Sequence, residues 1–158
     1  MDILVVVDMQ KDFISGALGT KEAQAILPRV AEKIVQAKKA GKTIVFTRDT
    51  HHENYLDTQE GKNLPVPHCI ENTDGWQIDP GLDTAGAMIF DKPSFGSEAL
   101  VRYLKSLPDL QSAEFVGLCT DICVITNVLS TKCALPELPI SVDSACCAGV
   151  TPQSHENA

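Results

Sequence analysis

Residues Ile3-Leu4-Val5-Val6-Val7 form an uninterrupted apolar run rich in β-branched side chains, closed by Asp8. A strand with one wet face alternates apolar and polar residues; a strand without alternation is buried on both faces. That condition is met in parallel sheets covered by helices on either side. The rest of the chain repeats the pattern. Further strands are expected at Thr43–Thr47, Met88–Phe90, Glu114–Gly117 and Pro139–Val142. Between them lie helical stripes. Lys21–Ala40 carries apolar residues at 26, 27, 30, 31, 34, 35 and 37 and is closed by Gly41. Ser97 is placed to cap a helix reaching Leu107, and Val124–Cys133 reads as another. Thr151-Pro152 reads as the cap and first residue of a last one. Strands alternating with helices imply right-handed crossovers and a three-layer αβα, Rossmann-like α/β fold with a mainly parallel sheet.

At 158 residues the chain suffices for one domain, 1–158, and not comfortably for two. So few residues follow Pro152 that the final helix could hardly cover the sheet, and the expectation is that the sequence stops short of the natural C-terminus. The net charge of −8 argues against nucleic-acid and anionic-membrane partners, which select basic patches. The N-terminus has no basic region before its short apolar run, so a cytoplasmic location is expected. With no export signal, the six cysteines read as reduced thiols, and Cys133, Cys146 and Cys147 as buried structural ones. The one long irregular segment, 49–82, is of a length usually functional or mobile.

Chemistry-bearing residues stand at the strand ends. Asp8 closes the first strand, Asp49 follows the second, Lys92 closes the third, Cys123 follows the fourth and Asp143 closes the fifth. In a parallel sheet these ends share one edge, where open α/β folds bind ligands. For any single Asp a turn or cap is the favoured explanation; a carboxylate, an amine and a thiol together favour function. Cys123 lies at a strand-to-helix turn, where free N–H groups and the helix dipole stabilise a thiolate. Such a trio supports acyl transfer. Asp8 would take the thiol proton, Lys92 would stabilise the charged pair, and Cys123 would attack a carbonyl. The backbone N–H groups of Cys119 and Cys123 could hold the oxyanion, a contribution of ~3 kcal/mol per well-aimed donor.

On the same edge lies Asp49-Thr50-His51-His52, with His68 further on. One Asp and two His form a reasonable divalent-metal set. The spacing is not diagnostic by itself, and solvated loop histidines are the competing explanation.

These pieces together resemble the isochorismatase-like cysteine hydrolases, and within them the nicotinamidase-related amidases. The matching segments are Asp8-Met9-Gln10-Lys11-Asp12-Phe13 (D-x-Q-x-D-F), Arg48-Asp49-Thr50-His51, Pro67-His68-Cys69, Thr73-Asp74-Gly75 and Lys92-Pro93-Ser94-Phe95. Gly117-Leu118-Cys119-Thr120-Asp121-Ile122-Cys123-Val124 follows as the nucleophile turn, and then Asp143-Ser144-Ala145-Cys146 with His155. The match runs in order along essentially the whole chain. It implies an Asp8–Lys92–Cys123 triad, a thioester intermediate and a cis peptide at Leu118–Cys119 that aims the Cys119 N–H at the oxyanion. It further implies a divalent metal, zinc or a similar ion, on Asp49, His51 and His68, and a homo-oligomer.

The departures bear on substrate. Where nicotinamidases carry an aromatic residue three positions before the second metal histidine, this chain has Pro65, with Leu64 beside it. Six residues after the first histidine, where some members offer another ligand, stands Asp57, a weaker candidate. Phe13 and Phe95 are candidate walls for a flat ring, with core packing the competing explanation. Trp76 has no clear counterpart, and a surface or subunit contact suits it as well as the pocket. The function expected is hydrolysis of a small amide, nicotinamide first, with release of ammonia. Within the family the alternatives are another amide, a ureido compound or an isochorismate-like substrate. From a different class, a thiol redox protein using Cys119 and Cys123 would leave Lys92 and the Asp-His-His set without a role.

Overall fold

The computed structural model describes residues 1–158. Five strands, β1 (Asp2–Val7), β2 (Thr43–Asp49), β3 (Met88–Lys92), β4 (Ser112–Leu118) and β5 (Ile140–Ala148), form one sheet in the order β3-β2-β1-β4-β5. Every pairing is parallel. The helices are α1 (Lys11–Ile14), α2 (Lys21–Lys39), α3 (Gln59–Asn63), α4 (Glu98–Ser106), α5 (Ile125–Ala134) and α6 (Pro152–Asn157). None is long and apolar enough to cross a membrane.

The apolar run of β1 is explained by its central place. Leu4 and Val6 face one core with Ile26, Val30 and Ile34 of α2, whereas Ile3, Val5 and Val7 face another with Leu100 and Leu104 of α4 and Val124. All five side chains from Ile3 to Val7 are fully buried. Each of these side chains contributes roughly 1.5–3 kcal/mol on burial, which sets β1 as the axis of the three layers. The expected caps Ser97 and Thr151 each accept a backbone N–H from the first turn of α4 and α6, and Thr20 does the same for α2.

The strands run further than the apolar pattern alone foretells. β2 reaches Asp49 and β3 reaches Lys92, and these two residues are neighbours in register. β5 departs most. It extends to Ala148, with an irregularity between the Phe115 and Gly117 pairings. Asp143 therefore lies inside the strand and not at its closing end. It pairs with Lys33 of α2 at 2.7 Å, in a cluster with Glu114 and Lys42. Its expected place on the functional edge is corrected accordingly. Cys146 and Cys147 are buried as expected, but Cys133, on the outer side of α5, is exposed. Apolar neighbours in sequence do not fix which way a helical side chain points.

Gly117 lets the edge form. Its φ is +120°, and a Cβ there would collide with the backbone of Val7 on the adjacent strand. Only glycine permits β1 and β4 to approach so closely where Asp8 and Cys119 emerge.

Candidate active site

Three strand ends converge on one buried ammonium. Lys92, the last residue of β3, places Nζ 2.7 Å from Asp8 Oδ2 and 3.4 Å from Cys123 Sγ, and donates to the Ser94 carbonyl at 2.9 Å. Asp8 follows β1 directly in a left-handed conformation (φ +48°) and is fully buried. Its Oδ1 accepts a 2.7 Å hydrogen bond from Thr47 Oγ1. Its Oδ2 faces Lys92 as an ion pair but receives no aligned hydrogen bond. That leaves an acceptor lone pair beside the thiol.

Electrostatics follow from burial and pairing. Burial pushes the Asp8 carboxyl up, against the pull of Lys92. Burial draws the Lys92 ammonium down, but Asp8, Cys123 and Asp49 outweigh it and hold it firmly charged. Burial, reinforced by Asp8, also raises the Cys123 thiol well above its ordinary range. Burial here opposes the thiolate stabilisation expected at a helix start. Cys123 lies within a π-type turn, Thr120–Val124, and α5 begins only at Ile125. A neutral thiol in this setting needs a base beside it.

The turn itself is laced from both sides. Thr120 Oγ1 lies 2.6 Å from His155 Nδ1 of α6, Asp121 accepts the Val150 N–H at 3.0 Å, and Asn127 donates to the Cys123 carbonyl at 2.8 Å. The Leu118–Cys119 peptide is cis, as the resemblance implies, and Cys119 lines the cavity in front of Cys123.

Beside the trio stands a cluster of possible metal ligands. Asp49, His51, His68 and Glu60 each present a ligand atom, all within 4.8 Å of one another. Asp49 Oδ2 is 3.0 Å from His51 Nε2 and 3.5 Å from His68 Nε2; Glu60 Oε1 is 3.7 and 3.9 Å from the same nitrogens. His68 Nδ1 is engaged by the Val66 carbonyl at 2.7 Å, which turns Nε2 toward the cluster. Two imidazoles and two carboxylates, with one ring oriented from behind, fit zinc or a comparable ion. Tyr55 packs edge-on against both rings, with centroids 4.8 and 5.1 Å away. Burial raises Asp49, but hydrogen bonds from His51 and His68 and the Lys92 charge more than reverse it, so its carboxyl is held well below the usual range.

Sequence reasoning missed Glu60. Asp57, the weaker candidate, is exposed outside the cluster. Glu60 enters because Thr58 caps the single turn of α3, with Gly61 seated on the Tyr55 carbonyl. A Thr58-x-Glu60-Gly61 cap was the available signal. His52 is exposed and pairs with Glu71 at 3.2 Å.

Cys123 of the trio and Asp49, Glu60 and His68 of the cluster line one cavity of about 650 Å³, together with Phe13 and Phe95 among others. Phe13 also packs against the His68 ring, with centroids 5.5 Å apart. Trp76 belongs neither to the surface nor to this cavity. It is buried, its indole N–H donates to Thr50 Oγ1 at 2.9 Å, and the Arg48 guanidinium lies 3.4 Å above its ring.

The isochorismatase domain model matches residues 2–158. The chain belongs to the isochorismatase family. Its nicotinamidase-related character is seen in its relatives. It is 26% identical over 155 residues to the nicotinamidase/pyrazinamidase of Mycobacterium tuberculosis, covering 84% of this chain and 83% of that protein. It is 25% identical over 162 residues to the nicotinamidase of Acinetobacter baylyi, covering 82% and 73%. Among solved structures, the pyrazinamidase of Pyrococcus horikoshii in complex with zinc superposes with a TM-score of 0.85 at 29% identity, covering 99% of this chain and 90% of that one. The isochorismatase-family fold, a parallel sheet with its site at one edge, is thus shared across nearly the whole chain.

Proposed function

We propose that the protein hydrolyses a small carboxamide, with nicotinamide the first substrate to test, through a thioester on Cys123 and with release of ammonia. The observation that carries this reading is the position of Lys92 Nζ, 2.7 Å from Asp8 and 3.4 Å from Cys123. Asp8 Oδ2 takes the thiol proton, and the sulfur attacks the amide carbon. The N–H groups of Cys119 and Cys123 receive the carbonyl oxygen as it becomes an oxyanion. Asp8 returns the proton to the departing nitrogen, and ammonia leaves. Asp8 then takes a proton from water, the resulting hydroxide adds to the thioester, the C–S bond breaks to release the carboxylic acid, and Asp8 returns the proton to the sulfur. Lys92 keeps its charge throughout and balances whichever of Asp8 and Cys123 is anionic.

Asp49, His51 and His68, with Glu60 alongside, would hold a divalent ion, zinc by preference, and such an ion supplies a Lewis-acidic anchor for a lone pair on the substrate ring. Phe13 and Phe95 would flank that ring. Support comes from the relatives named as nicotinamidases. A redox pairing of Cys119 with Cys123 gains no support, since it gives no work to the ion pair beside the thiol.

The test is ammonia release from nicotinamide by the wild type and Cys123→Ala, in strong reductant, before and after chelation. Release that needs Cys123, persists in reductant and falls on chelation is expected. Turnover retained in Cys123→Ala would overturn the mechanism.

A further inference from the structure

The cavity describes more of its occupant than the reacting groups do. Its volume, about 650 Å³, lies within the roughly 300–1,000 Å³ that encloses drug-sized ligands and is several times what a single-ring carboxamide fills. Beside the reacting and ligand groups, its polar liners are the uncharged Thr20, Gln59, Asn63 and Ser94. The rest of its lining is largely apolar and includes Leu18, Leu64, Phe95, Ile122 and Val150. Phe95 and Leu64 remain 43% and 40% exposed, so the pocket has large apolar side chains waiting at its mouth and not yet covered. No lysine or arginine lines it, and its two carboxylates, Asp49 and Glu60, belong to the ligand cluster. A second charge on the substrate, if anionic, would meet no counterion along these walls and would pay for desolvation without return.

We propose that the preferred substrate is an uncharged aromatic amide whose flat apolar body is larger than one six-membered ring, with the extra ring packed against Leu64 and Phe95, large half-exposed side chains of the cavity lining. This rests on the amidase reading and specifies its substrate class. It disfavours carboxylate-bearing compounds such as isochorismate-like acids. Leu64 and Phe95 act here as specificity-determining residues. Burying a fused ring against them removes apolar area from water, which favours the larger amide by the usual area-proportional gain.

The experiment separates pocket from chemistry. Binding of nicotinamide, quinoline-3-carboxamide and a carboxylate-substituted quinoline-3-carboxamide to Cys123→Ala is measured by calorimetry on the protein as purified. Turnover of the same three by the wild type is followed in parallel. We expect the neutral bicycle to bind at least tenfold tighter than nicotinamide and at least tenfold tighter than its carboxylate analogue. Adding Leu64→Trp, at a half-exposed position that folding tolerates, should cut that preference over nicotinamide at least tenfold. Bicycle binding equal to or weaker than nicotinamide binding overturns the inference, whatever the turnover. Preferential binding of the bicycle without ammonia release from any of the three by the wild type would overturn the amidase reading and leave the pocket assignment standing.

Discussion

Gln10 clasps the peptide backbone of Asp49 from both sides: its Oε1 accepts the Asp49 N–H at 2.8 Å and its Nε2 donates to the Asp49 carbonyl at 2.8 Å. A third bond, from Nε2 to the Trp76 carbonyl at 2.9 Å, ties in the long segment after β2. One fully buried amide thereby fixes the end of β2 to the residues that follow β1. Gln10→Ala leaves three buried backbone groups without partners and should cost about 2–4 kcal/mol. Because Asp49 would lose its anchor, zinc affinity measured by chelator competition should fall more than tenfold. Unchanged affinity in a folded variant would show that the clasp does not position the carboxylate.

Lys92 is a fully buried cation between Asp8 and Asp49, the latter at 3.6 Å. Lys92→Met removes the charge and strands two buried carboxylates. Thermal and denaturant unfolding should report a loss of about 3–5 kcal/mol, together with an activity loss of at least a hundredfold. Lys92→Arg should not rescue activity, since the space shared with Ser94 and Cys123 is shaped for a compact ammonium.

The raised Cys123 thiol has a direct chemical readout. Iodoacetamide at pH 7 should modify exposed Cys133 well before Cys123. Alkylation of Cys123 should keep accelerating as pH rises past 9, because its thiolate forms later than that of an ordinary cysteine. Cys119, pushed up to about 12 chiefly by burial, should lag as well. Mass mapping of the alkylated peptides decides it. Preferential labelling of Cys123 at neutral pH would contradict the assignment of a buried, neutral thiol.

Away from the site, Lys33 is 2.7 Å from both Glu114 and Asp143. The Asp143 carboxyl is lowered mainly by its hydrogen bond from Lys33; Glu114 is lowered too, bonds from Lys33 and Lys42 outweighing its burial. A carboxylate whose folded pKa is depressed contributes stability that is present above its unfolded pKa and is lost as pH falls through the folded one. Lys33→Met should therefore cost roughly 1–3 kcal/mol at pH 7, and the gap to wild type should close as the pH drops below about 4. Denaturant melts at pH 3 and pH 7 check it. A gap that persists undiminished at pH 3 would point to packing by the lysine stem instead.

The fold was legible because its strongest signals are local. The unbroken run of β1, the stripe of α2 and the caps at Ser97 and Thr151 are each written within a few adjacent residues. Asp8, Lys92 and Cys123 were legible as strand-end residues because parallel pairing brings all such ends to one edge. Asp143 misled for the same reason. It follows an apolar run, but β5 continues past it, since Cys146, Cys147 and Ala148 resume the buried pattern after a register irregularity that no periodicity reveals.

The segment between β2 and β3 was the opaque part. Its order comes from contacts distant in sequence: the Asp12 carboxylate accepts the Cys69 N–H next to His68, Gly75 gives Asp12 room, and Trp76 is held beneath Arg48. Glu60 joins the histidines only because this packing folds α3 back over them. Apart from the Thr58 cap of α3, none of these is a property of a window of residues; each depends on packing between distant parts of the chain.

Asp49 and Lys92 are register partners on adjacent strands, and that fact has a metric consequence. Neighbouring strands of any sheet lie about 4.8 Å apart, a spacing set by backbone hydrogen bonds and insensitive to side chains. The ligand cluster and the nucleophile's ion pair are thus gauged by the pitch of the sheet, as marks on a ruler are. Replacing loops or walls can change which molecules enter, but the interval between the Asp49 ligand position and the Lys92 ammonium is set by main chain. Evolution of this scaffold toward new amides would proceed by re-lining the cavity around a fixed interval.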